Sequence, residues 1–140
     1  MPSGSRIEMT SVPGAECSSV IGEKVTPCSL SRSVHSFRPA RSGTAKGAIV
    51  LLHRGHEHSG RVAHIAEELG LADFAFYAWD ARGHGRSPGE RGHSPSFAHS
   101  VRDLDCFVRH IRETDGFAMD QVVVLAQSVG AVLASTWVHD

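Results

Sequence analysis

The chain has 140 residues, about one domain's length, and its 41% hydrophobic and 21% charged residues exclude a fully disordered, collagen-like or coiled-coil chain. A formal charge of −1 offers no basic field to a nucleic acid, and no apolar run approaches the roughly 20 residues of a membrane span. Three cysteines (Cys17, Cys28, Cys106) without a C-x-x-C pair, and an N-terminus without an apolar signal core, point to a reducing, cytoplasmic setting.

Composition changes near residue 46. Residues 1–46 hold ten of the seventeen serines and four of the six prolines, with no apolar period. They read as a weakly ordered leader with short edge strands near 23–25 and 34–38. Residues 47–140 hold nine of the ten histidines and alternate buried strands with amphipathic helices. The run 48–52 (A-I-V-L-L) suits a strand covered on both faces. Val62, Ile65, Ala66 and Leu69 then fall on one helical stripe, with Gly70 at its end. An aromatic-rich strand follows at 74–79, and a Gly/Pro/Ser-rich loop over 80–95. Phe97, Val101, Leu104, Val108 and Ile111 form a second stripe, with Ser94 as N-cap and Pro95 in the first turn. Cys106 lies beside that stripe as a small core residue, and Trp79 and Trp137 read as core aromatics. A third strand spans 122–126, and after a turn at 127–130 the apolar stretch 131–138 reads as a helix. This order predicts a parallel sheet with helices on its faces.

In such sheets ligands bind beyond the carboxyl ends of the strands, so three loops should carry the chemistry. They are H-R-G-H-E-H-S at 53–59, D-A-R-G-H-G-R-S at 80–87 and A-Q-S-V-G at 126–130. In the third, a serine sits directly after a buried strand, with small residues two places before and two places after it. That is the form of a nucleophile elbow, with Ala126 in place of the usual glycine. The plainer reading is a strand-to-helix turn with Ser128 as N-cap. Gly83-x-Gly85 is a weak dinucleotide fingerprint, because no helix opens on it. His53, His56, His58 and Glu57 could in principle gather a metal, but their order matches no common metal motif, and no metal or other cofactor is expected.

The first loop resembles the H-G-x-G-E-H-S-x-R segment of monoacylglycerol lipases, lysophospholipases and serine-aminopeptidase-like proteins of the α/β-hydrolase fold. The second is similar to the family's D-x-R-G-x-G-x-S loop. Together with the serine turn the resemblance covers residues 46–140. The first and third loops also look like the hydrolase half of bacterial hydrolase–methyltransferase fusions. The resemblance implies Ser128 as nucleophile, with the backbone N–H groups of Val129 and Gly55 as oxyanion donors. It also implies site-supporting roles for His53, Asp80, Arg82 and Gly130. Arg54 stands where the family pattern has glycine.

The family's triad needs an acid and a histidine further along the chain, and only His139 and Asp140 follow Ser128, on a helix that leads away. The D-G-x-x-L segment of the family's first strands is not found in 1–46. The sequence therefore predicts the N-terminal part of an α/β-hydrolase fold, incomplete. As the complete member it would hydrolyse a small-molecule or lipid ester, acylglycerol or lysophospholipid. As this chain alone it would show little activity. The alternative is a non-catalytic α/β module that binds a partner or completes a hydrolase in trans. A short sheet with an exposed edge also predicts self-association.

Overall fold

The computed structural model describes residues 45–140 and the backbone strands at 10–11 and 34–37. The strands are β1 (Thr10–Ser11), β2 (Val34–Phe37), β3 (Gly47–Leu52), β4 (Phe74–Trp79) and β5 (Val122–Ala126). They form one sheet in the order β1-β2-β4-β3-β5. β4, β3 and β5 are mutually parallel, and β2 is antiparallel to β4. The expected strand at 34–38 is β2; the one near 23–25 lies outside the described residues.

The central strand explains the winding. Every residue of β3 is buried, because helices cover both faces of the sheet there. Ile49, Leu51, Phe76 and Ala78 pack under α1 (Ser59–Val62) and α2 (His64–Leu69), together with Val62, Ile65 and Ala66. Ala48, Val50, Leu52, Tyr77 and Trp79 face α3 (Phe97–Asp115) and α4 (Val129–His139) through Leu104, Val108, Ile111 and Leu133. Burying each of these larger side chains contributes about 1.5–3 kcal/mol. On β5 only Val122, Val124 and Ala126 join this core. Val123 and Leu125 are 52% and 44% exposed on the opposite face, over which no described helix lies.

Three local details depart from the spacing-based expectations. The single helix expected over 62–69 is two short ones joined at Ala63, whose backbone stays helical. The joint carries a tighter bond from the Ala66 N–H to the Ala63 carbonyl, of the 3₁₀ type. The cap of α3 is Ser96 rather than Ser94: Ser96 Oγ accepts from the His99 N–H at 3.2 Å. Ser94 Oγ instead donates to the Ser96 carbonyl and accepts from Ser100 Oγ. Phe97, expected at the head of the buried stripe, is 45% exposed, while Phe107 and Asp103 are buried in α3.

β3 leads to α1 on one face and β5 leads to α4 on the other. Adjacent parallel strands whose connections depart to opposite faces open a crevice between their carboxyl ends. The loops after β3 and β5 meet at that crevice.

Candidate active site

The loop after β3 is pinned by His53, which is only 4% exposed. Its Nε2 lies 3.1 Å from the Ala81 N–H, which can only donate. Its Nδ1 lies 2.7 Å from the Arg54 carbonyl, which can only accept. The ring is therefore the neutral tautomer with its proton on Nδ1, and it ties the first loop to the second. Burial is the main influence on its titration and pushes its pKa below the usual 6.5; the nearby His84 ring, 5.2 Å away centre to centre, adds to this.

The second loop is organised by Asp80. Its buried carboxylate accepts from the Ser59 N–H at 2.7 Å and the Arg86 N–H at 2.9 Å, and its carbonyl accepts from Ser87 Oγ. Gly85 folds against that carboxylate so closely that a Cβ would stand 2.3 Å from Cγ. Arg82 reaches α3, where its Nε and Nη2 donate to the two oxygens of Asp103 at 2.9 and 2.8 Å. This fork pairs the one acid facing the crevice from α3 with a planar partner. Asp80 and Arg82 thus brace loops, with their polar groups turned to the protein.

The third loop holds Ser128 at φ 57° and ψ −126°. Among the described residues only His56 (φ 60°) shares a positive φ without being glycine. An L residue is held there only when its surroundings over-determine it. Here they do. α4 begins at the next residue, and the Ala131 and Val132 N–H groups close on the Ser128 carbonyl. Gly130 presses against the end of β3, where a Cβ would stand 2.9 Å from the His53 carbonyl oxygen. Ser128 occupies the N-cap position, yet its hydroxyl caps no N–H of α4. The plain capping reading is therefore not what this geometry displays.

Gly55 and Val129 adjoin: a Cβ on Gly55 would be 3.9 Å from Val129 Cγ1. As the first residue of α4, Val129 has an N–H without an intrahelical acceptor. Residues Gly55, Val129 and Gly130, with Trp79, Phe97 and Leu133, line a cavity of about 390 Å³. Ser128 is exposed beside it. The structure thus brings together His53, Gly55, Ser128, Val129 and Gly130, with Arg82 at the cavity wall and Asp80 buried behind it. It does not bring His139 or Asp140 near: they end a helix of 11 residues, about 15 Å from its start. No hydrogen bond joins a described histidine to Ser128. Among the described residues no group of three or more His, Cys, Asp or Glu is placed to hold a metal ion. None of their helices is long and apolar enough to cross a membrane.

Some structural features of the site are invisible to spacing. His58 caps α1 by accepting from the Gly60 N–H at 3.2 Å. Arg54 pairs with Glu57 at 2.8 Å. His56 takes the left-handed conformation; the one available signal was that the resembled loop has glycine at that place.

Comparison with known proteins gives one direction. The family model for serine aminopeptidase, S33, matches residues 43–140. The chain is 61% identical over 102 residues to the uncharacterized protein YnbC of Escherichia coli K12, covering 73% of this chain and 17% of that protein. It is 40% identical over 90 residues to the monoacylglycerol lipase of Mycolicibacterium smegmatis, covering 61% of this chain and 30% of the relative. Among solved structures, the Paleococcus ferrophilus monoacylglycerol lipase is 33% identical, with a TM-score of 0.57 over 74% of this chain and 36% of that one. The chain spans less than a third of the length of these two curated relatives.

Proposed function

Since the chain belongs to the serine aminopeptidase S33 family of α/β-hydrolases, we propose that it carries the nucleophile and oxyanion half of a serine esterase. Its proposed substrates are carboxylic esters of the acylglycerol or lysophospholipid class. Support comes from one observation above the rest: the left-handed backbone of Ser128 between β5 and α4, with a hydroxyl not spent on capping. Ser128 Oγ would attack the ester carbonyl. The N–H groups of Gly55 and Val129 would hold the developing oxyanion, each such donor contributing about 10²–10³-fold in rate. The C–O bond to the alcohol breaks and the alcohol leaves with the proton from Ser128 Oγ; water then attacks the acyl carbon, releasing the acid and restoring the Ser128 hydroxyl. Ser128 has no histidine partner among the described residues, so the isolated chain should turn over slowly. A cytoplasmic location fits the cysteine pattern.

The test is labelling with a fluorophosphonate, with the site read by mass spectrometry. We expect slow labelling at Ser128, abolished in Ser128→Ala, together with weak hydrolysis of a short-chain nitrophenyl ester. Absence of label on Ser128 overturns the reading. Robust hydrolysis lost in Ser128→Ala would overturn only the low-activity part.

A second reading is favoured by the exposed Val123 and Leu125 of β5. On it, this open apolar face packs against another chain, and the module binds a partner or completes a hydrolase in trans.

A further inference from the structure

We infer that the cavity beside Ser128 receives an ester bearing a hydroxyl about 10 Å along one of its chains, held between Trp79 Nε1–H as donor and His84 Nε2 as acceptor. This deepens the esterase reading and rests on it. The observation is a buried donor without an acceptor. Trp79 is 2% exposed and lines the cavity, yet its indole N–H makes no hydrogen bond among the described residues. A buried indole N–H ordinarily finds a partner. Trp137, less buried, has one: its Nε1 donates to Asp105 Oδ1 at 3.2 Å. The Trp79 ring packs on Phe107, with centroids 5.8 Å apart, so the core holds it in place.

His84 supplies the opposite polarity. Its Nδ1 lies 3.0 Å from the Arg82 carbonyl, which only accepts. The neutral ring therefore carries its proton on Nδ1 and leaves Nε2 as an acceptor. His84 is half buried at the same cavity wall, and its Nε2 meets no donor among the described residues. The charged residues of the wall are already paired, Arg82 with Asp103 and Arg54 with Glu57. A carboxylate would serve the indole and be repelled by Nε2, and an ammonium would do the reverse. A hydroxyl accepts and donates through one atom.

The sheet sets the span. Leu51 pairs with Ala78 on one side and with Leu125 on the other, so Trp79, Leu52 and Ala126 stand in one row across β4, β3 and β5. Two strand steps separate the ends of that row, about 10 Å. Ser128 follows two residues after Ala126, and Phe97, Val129 and Leu133 give the cavity an apolar wall. An alkyl chain suits that wall, with the ester at Ser128 and the hydroxyl at the far end. A glycerol head group, whose hydroxyls sit next to the ester, does not reach across.

The probes on the acyl side are methyl octanoate, methyl 8-hydroxyoctanoate and methyl 3-hydroxyoctanoate. On the alcohol side they are hexyl acetate and 6-hydroxyhexyl acetate. Each is titrated against the isotope-labelled 140-residue chain, following the indole N–H resonances of its two tryptophans, assigned with Trp137→Phe. We expect an end-hydroxylated ester to bind about tenfold or more tightly than its plain counterpart, because a site with unpaired polar groups rejects the analogue lacking the hydroxyl. It should also shift the Trp79 resonance downfield and leave that of Trp137 in place. The side that shows the preference identifies the chain that enters. The 3-hydroxy isomer, with its hydroxyl near the ester, should gain about threefold or less. Trp79→Phe and His84→Ala should each shrink the preference to about threefold or less. Where Trp79→Phe does not fold, His84→Ala and the wild-type resonance decide. No preference on either side, no binding of any probe, an equal gain for the 3-hydroxy isomer, or a preference untouched in His84→Ala overturns the inference. If Ser128 still takes the fluorophosphonate label in any of these cases, the esterase reading survives; if Ser128 is unlabelled, that reading has failed separately.

Discussion

His53 shows how one side chain can tie two loops together. Its two ring nitrogens bond a donor on one loop and an acceptor on the other, so protonation at Nε2 would break the link to Ala81. Burial favours the neutral ring, and its pKa in the folded chain lies below 6.5. The folded and unfolded states are both neutral at His53 above that value, and its stabilising contribution is then complete. As pH falls below 6.5 the unfolded state takes up the proton first, and the contribution is lost down to the folded pKa. His53→Gln should therefore lose about 1–2 kcal/mol at pH 7.5. The gap to wild type should narrow as pH drops below 6.5, as urea melts at several pH values would show. A pH-independent gap would contradict the neutral-ring assignment. Ser128 was legible from its place after an apolar strand and two before glycine. The conformation of His56 was not legible from the residue itself, since a histidine can sit in any loop; only the glycine at that place in the resembled segment signals it.

Element spacing carried most of the fold. The runs at 48–52 and 74–79 became β3 and β4, buried between helices on both faces, while the equally apolar run at 122–126 became β5 with one face covered. The α3 stripe at steps of four and three is buried from Val101 to Ile111. Caps were less legible: Ser94 and Ser96 offer the same chemistry two residues apart, and side-chain bonds to Ser100 and His99 decide between them. The joint between α4 and β3 is where element packing meets the site. Gly130→Ala puts a methyl group 2.9 Å from the His53 carbonyl oxygen, which is backbone and cannot rotate aside. α4 must shift, at about 1–3 kcal/mol. We expect Tm to fall by several degrees in calorimetry and the labelling of Ser128 to slow about tenfold or more. Unchanged labelling would show that the elbow tolerates movement of its helix.

At the scale of the molecule, an all-apolar β5 sequence gives no alternation to say which face stays open. Only the three-dimensional order β4-β3-β5 makes it an edge, with Val123 and Leu125 uncovered. The double variant Val123→Lys, Leu125→Lys places charge on that open face. Light scattering should show less self-association than in wild type at equal concentration, and an unchanged oligomer distribution would remove this face of β5 from any interface. The partnership of β3 with β5 has a further consequence in time. Ala48 pairs with Val122, 74 residues later, while everything between must first be made. During synthesis the amide of Gly55 emerges from the ribosome long before Ser128 exists, and docking of β5 beside β3 brings the two together. A nascent chain stalled short of residue 126 should therefore lack the meeting of the Gly55 loop with the Ser128 turn altogether.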